Sequence, residues 1–247
     1  FIFIHQPDDY YQVPIYYSLG YIISGIYSLY LVYYKIGLRF YFVKMSDVFD
    51  VLKESSGYFL SRASLSLFTT SNTFVLGLVC GNVFVGYYAI AEKLYQAYNS
   101  LISPINGVLF PHMAKTKDVS FFKKTLSRIS VINVIFVLIS IGLSGFIVKI
   151  LYDTNNMHTL NSLKILLVTC IFTIPSILLG YPFLAALGHP KYTNLTVVLA
   201  AFVHIVGLTT LLLTGSITVE SVSCMVLVTE LCLFVFRLIG VRKYSLL

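Results

Sequence analysis

Glu92, Gln96, Asn99, Ser103 and Asn106 follow one another at 4-3-4-3 spacing inside an otherwise apolar stretch from Val83 to Phe110. On a helix that spacing gathers all five on one face. A lipid-facing helix cannot carry such a stripe, so it must look into a protein interior or a wet cavity. Ionisable residues at membrane depth point by default to a substrate or ion path. The preceding apolar stretch repeats the pattern, with Arg62, Ser66, Thr69 and Thr73 at 4-3-4 spacing beside Thr70, Ser71 and Asn72. Two neighbouring helices then line one cavity, with Arg62 near its cytoplasmic mouth and Lys93 about 15 Å from the outer end of its helix. That cavity is cationic toward its ligand.

Each position also has a plain structural reading. Arg62 lies about a turn inside its span and can snorkel to the interface. Lys93 is deeper, where a charge costs at least about 2.5 to 3.5 kcal/mol, and its alternative is an ion pair with a carboxylate on another helix. Glu92 is adjacent but points elsewhere, which makes it a poor partner. Glu230, with Arg237 seven positions later on the same face, either pairs with Lys93 or carries a coupling proton. Gln96, Asn99 and Asn106 are open to interhelical hydrogen bonding, which membrane bundles use routinely. His204 reads as a satisfied core histidine.

Cys80, Cys170, Cys224 and Cys232 form no C-x-x-C pair and have no His at ligand spacing. They read as buried packing thiols, so neither a metal site, a disulfide framework nor a cofactor is expected. No nucleophile elbow, paired loop carboxylates or glycine-rich phosphate cradle is present to support catalysis.

The elements that position these residues follow from hydropathy. With 57% apolar residues, 11% charged residues and a mean hydropathy of +0.85, the 247-residue chain is too oily for a soluble domain. The expectation is an all-α integral membrane protein of about seven transmembrane helices: Val13 to Tyr34, Tyr58 to Cys80, Val83 to Phe110, Ile129 to Tyr152, Leu163 to Leu187, Leu195 to Thr214 and Ile217 to Gly240. An odd number of spans and a chain that opens at Phe1 predict a fragment of a longer protein.

Thirteen of the seventeen Lys and Arg residues fall on one side of the predicted spans, and Lys149 and Lys164 on the other. The first side, with the C-terminus, is therefore cytoplasmic. The formal charge of +7 is mostly topology. The basic loops are short and lack aromatic-basic motifs, which argues against nucleic acid as a partner, and attraction to anionic membrane lipids is secondary. The longer cytoplasmic links, Lys35 to Ser56 and Pro111 to Arg128, are expected to hold short amphipathic helices at the interface. Tyr10, Tyr11, Tyr16 and Tyr17 at one end of the first span, and Tyr30, Tyr33 and Tyr34 at the other, read as interfacial belts. Pro104, Pro175 and Pro182 are expected to bend their helices.

The segment Val85-Gly-Tyr-Tyr-Ala-Ile-Ala-Glu-Lys-Leu94, followed by Asn99-Ser-Leu-Ile-Ser-Pro-Ile-Asn-Gly-Val-Leu-Phe-Pro111, resembles the Wzx-type O-antigen flippases, or polysaccharide repeat-unit transporters. Phe1-Ile-Phe-Ile, Asp9-Tyr10, Val13-Pro14 and Ser18-Leu-Gly20 look like the same family. The resemblance implies the exporter superfamily that handles drugs, oligosaccharidyl lipids and polysaccharides, built as two six-helix lobes around a cavity. Residues 1–56 are then similar to the last helix of the first lobe and a cytoplasmic linker, and residues 57–247 to the second lobe. The implied partner is an undecaprenyl-pyrophosphate-linked oligosaccharide, moved across the bacterial inner membrane by alternating access, with a polymerase of the same glycan pathway as a further partner. Arg62 and Lys93 suit a diphosphate, and the Asn, Gln, Ser and Thr stripes suit sugars. A drug or cation antiporter of the same superfamily, a membrane glycan polymerase or glycosyltransferase, and a nonfunctional remnant of a longer gene remain the alternatives.

Overall fold

Long apolar runs separated by Gly, Pro, Asn and Asp give a helical protein. The computed structural model describes residues 12–38, 43–244 and 246, and among these there are eight α-helices and no strand. They are α1 (Val13–Tyr30), α2 (Met45–Val79), α3 (Asn82–Ser100), α4 (Ser103–Thr116), α5 (Val119–Tyr152), α6 (Met157–Leu178), α7 (Pro190–Leu213) and α8 (Val219–Lys243). The backbone continues past α1 and α6 in π-helical turns, Leu31–Ile36 and Leu179–Ala185. Phe1 to Ile4, Asp9, Tyr10, Tyr11 and Arg39 lie outside the described residues.

Local chemistry sets the helix ends. Asp118 accepts from the Phe121 amide at 2.9 Å to start α5, and Asn156 accepts from the His158 and Thr159 amides to start α6. Thr218 and Ser221 form a reciprocal capping box at α8. Gly81, with φ of 87°, makes the tight reversal between α2 and α3 that a side chain would strain.

All seven predicted spans fall in helices. Five helices are long and apolar enough to cross a membrane by length and composition: Val13–Ile36, Val119–Tyr152, Met157–Ala185, Pro190–Leu213 and Val219–Lys243. The chain is thus a multi-pass, all-α membrane protein. The second and third predicted spans coincide with α2 and with α3 plus α4, whose polar stripes lower their apolarity.

Two expectations need correction. Val83 to Phe110 is two helices rather than one. Pro104 has no N–H to give the Ser100 carbonyl, and the backbone tightens there, with the Leu101 and Ile102 amides bonding the Tyr98 and Asn99 carbonyls at 3.2 Å each. The amphipathic link segments are not separate helices either. Residues 45–56 are the first turns of α2 and residues 119–128 those of α5, because no proline intervenes to stop either helix.

The chain divides into two compact units, Phe1–Leu52 and Lys53–Leu247. In the first, α1 has no buried residue. The second is organised around α6, which packs on α3, α5 and α8, while α7 packs on α8. Leu163, Leu166, Cys170 and Leu178 of α6 join Tyr88 of α3, Val137 of α5 and Val222 of α8 in one core.

Gly240 and Gly207 let α7 and α8 approach closely. A Cβ at Gly240 would sit 2.1 Å from Tyr192 Cε1, and one at Gly207 would sit 2.2 Å from Met225 Sδ. The Tyr192 ring is held by its hydroxyl on the Phe236 carbonyl at 2.8 Å, whereas Met225 can change rotamer. Gly240→Ala is therefore expected to destabilise the protein by about 1–3 kcal/mol and Gly207→Ala by clearly less. Thermal unfolding in detergent ranks the two; equal midpoints would contradict the packing argument.

Candidate functional site

Within the second unit, α2, α3, α6 and α8 line a half-open cavity of about 170 Å³. Its polar lining comes from Thr69 and Asn72 of α2, Tyr88, Glu92, Tyr95 and Asn99 of α3, Thr173 of α6 and Glu230 of α8. Phe68, Leu65, Leu166, Ile177 and Val226 complete the wall. Glu230 is only 7% exposed, and Glu92 is half-buried. The cavity is lined by two carboxylates and no cation.

A chain of buried hydrogen bonds fixes one wall. Asn72 Nδ2 donates to the Tyr88 hydroxyl at 3.1 Å, which turns Asn72 Oδ1 toward His204 Nε2 at 2.9 Å. Nε2 therefore carries a proton and donates it to the amide oxygen. On the other side of the ring, His204 Nδ1 and the Thr229 hydroxyl are 2.7 Å apart. Four helices, α3, α2, α7 and α8, are linked through Asn72 and this imidazole. His204 is a satisfied core histidine, fully buried. Opposite, Tyr95 bonds Thr173 at 3.2 Å. On the far side of α3, Tyr98 donates to Asn133 Oδ1 at 2.7 Å, and Asn133 Nδ2 to the Cys170 carbonyl at 3.0 Å, tying α3, α5 and α6 together.

The polar stripe on α3 and α4 splits along its length. Glu92, Asn99 and Asn106 are half-buried, and the first two line the cavity. Asn106 Oδ1 is buried without a hydrogen-bond partner among the described residues. Lys93, Gln96 and Ser103 are exposed. On α2 the same division holds: Arg62 and Ser66 are exposed, whereas Thr69 and Thr73 are half-buried, with Thr69 at the cavity. Arg62 and Lys93 are thus not among the cavity-lining residues.

The predicted partnership of Glu230 with Lys93 is not formed. No ion pair joins Glu230 to Lys93 or to Arg237, since Lys93 points outward and Arg237 donates instead to Ser176. A contact missed in the sequence does form, a hydrogen bond between His158 Nδ1 and Glu220 Oε1 at 2.8 Å, beside Phe84 and Tyr87. Its only sequence signal was the position of the two residues in the first turns of α6 and α8. Of the cysteines, all free, Cys170 is buried as expected but Cys224 is exposed, because it sits on the outward face of α8.

Residues 1–117 match the family of polysaccharide biosynthesis proteins. The chain is 24% identical over 242 residues to an uncharacterised membrane protein of Methanocaldococcus jannaschii, covering 92% of this chain and 58% of that protein. It is 30% identical over 124 residues to a protein of Shigella dysenteriae named as a candidate O-antigen transporter, covering 50% of this chain and 31% of the relative. A protein of Escherichia coli with the same name is 26% identical over 156 residues, covering 61% and 38%. The chain spans less than two thirds of the length of these curated relatives. No solved structure matches it. The resemblance to polysaccharide repeat-unit transporters is borne out.

Proposed function

From a chain similar to O-antigen transporters, we propose that it forms part of a flippase that moves undecaprenyl-pyrophosphate-linked oligosaccharide units from the cytoplasmic to the outer leaflet of the bacterial inner membrane. Residues 1–56 close the first lobe and residues 57–247 form the second, with the C-terminus cytoplasmic. It acts by alternating access rather than by catalysis. A polymerase of the same pathway receives the exposed units.

The observation that carries this reading is the exposure of the polar side chains Arg62, Ser66, Lys93, Gln96 and Ser103 on helices that otherwise suit lipid. Two charges and three hydrogen-bonding groups are costly against acyl chains. A hydrated path shared with the rest of the transporter accounts for them. The cations hold the diphosphate and the amides and hydroxyls hold sugar. The two carboxylates that line the cavity, Glu92 and Glu230, are separate from these exposed residues, and Glu230 is the candidate for ion coupling.

Deleting the full-length gene in its host tests the reading. Lipid-linked repeat units should accumulate on the inner leaflet, inaccessible to a glycan-cleaving enzyme added to spheroplasts. Single units that reach the outside but stay unpolymerised would instead identify a polymerase, and unchanged glycan with lost drug resistance an antiporter.

A further inference from the structure

α3 and α5 both pack on α6 but hardly on each other. Between them runs a groove floored by α6 and open along its length. It has two parts, of about 210 Å³ and about 300 Å³, whose walls share Tyr98, Leu101 and Phe136. Leu101 belongs to both because the chain breaks there between α3 and α4. Ile129 of α5 lines the first part and Ile147 of the same helix the second.

The walls present hydrocarbon. Two polar side chains that reach the groove already hold each other: the Tyr98 hydroxyl donates to Asn133 Oδ1 at 2.7 Å, and Asn133 Nδ2 donates to the Cys170 carbonyl at 3.0 Å. Ser140 is the other polar residue of the wall. An occupant is therefore apolar. Lipid tails are as apolar as these walls, so the groove selects by shape and length rather than by hydrophobicity.

Length is the discriminating quantity. Ile129 and Ile147 are 18 positions apart, which is about 27 Å along the helix axis and close to the roughly 30 Å of a hydrocarbon core. A phospholipid tail belongs to one leaflet and reaches about half of that depth. A single chain that fills the groove from end to end must be long enough to cross the core. A polar head has its place beside it, because Lys93 is exposed one helical turn from Ala97, which lines the groove. The occupant these features describe is an amphiphile with a polar head and one very long hydrocarbon chain.

We propose that the groove between α3 and α5 holds the polyprenyl chain of the lipid substrate, with the head on the Lys93 side of α3. This rests on the proposed function and names the surface that the apolar part of the substrate occupies. A groove that runs the depth of the core accepts the chain from either leaflet, so the chain stays seated while the head crosses.

Full-length protein in phosphatidylcholine nanodiscs tests it. The probe is undecaprenyl phosphate with a diazirine at the far end of its chain, the reference is phosphatidylcholine with a diazirine at the end of one acyl tail, and labelled residues are mapped by mass spectrometry. The polyprenyl probe should label the groove at least about fivefold more than the exposed α7 residues Phe202 and Val206. Excess undecaprenol should suppress that labelling, whereas farnesol, too short to span the groove, should not. Ala97→Phe, at an exposed position, should fill the groove and reduce labelling by a similar factor without lowering the thermal midpoint. Val206→Phe on α7 should leave it unchanged. Equal labelling of the groove by the phosphatidylcholine probe overturns the proposal and makes the occupant bulk lipid. So does wild-type labelling in Ala97→Phe. Absence of labelling by either probe also overturns it, and means that another part of the transporter or a second copy covers the groove. Labelling reads the groove on the isolated protein, and the leaflet measurement in cells reads transport, so either can fail while the other stands.

Discussion

Asn72→Leu is expected to lower the thermal midpoint of the protein more than any other single polar substitution in its interior. The amide bridges the Tyr88 hydroxyl and His204 Nε2, and all three side chains are almost completely buried. Removing it leaves a buried N–H and a buried hydroxyl without partners, at about 1–3 kcal/mol for each stranded group. Hydrogen bonds between helices in a membrane are often worth less than 1 kcal/mol, because the separated helices find other partners. The loss here is larger because Phe68 packs on the imidazole, with ring centres 5.3 Å apart, and holds it away from substitutes. His204→Leu made together with Asn72→Leu should cost less than the sum of the two, since the stranded N–H is then gone. Additive losses in thermal unfolding would show that the amide and imidazole are not coupled.

Lys93→Ala is expected to give the opposite pattern, with transport lost and stability kept. The side chain is exposed and enters no ion pair among the described residues, so its removal should change stability little. If Lys93 faces the substrate path, loss of a charged hydrogen bond of about 1.5–3 kcal/mol should slow translocation at least about tenfold at normal membrane levels. If it faces lipid, the alanine protein should insert more readily and transport at the wild-type rate. Leaflet-resolved analysis of lipid-linked glycan, with immunoblotting for protein level, separates the two. Gln96→Leu on the same exposed face should follow Lys93→Ala in direction, whereas Asn72→Leu should reduce protein level first.

The sequence by itself determined that this is a multi-pass helical membrane protein, because burial in lipid requires long apolar segments whose backbone groups are satisfied within each helix. It also located Pro104 and Pro182 as places where helices cannot stay regular, since a missing donor acts locally. The resemblance to polysaccharide transporters was legible in the segment around Tyr87 and Tyr88. What the sequence could not decide was which edge of each polar stripe faces inward. Glu92 and Gln96 differ by only about 40° around the helix axis, yet one lines the cavity and the other is exposed. Packing of α3 against α6 and α8 made that choice, and it placed Glu92 at the cavity and Lys93 outside it. His204, Asn72 and Tyr88 are separated by up to 132 positions, and Arg237 meets Ser176 across 61. No local spacing encodes such meetings, because the partner of a buried donor is fixed by how helices pack and not by their order along the chain.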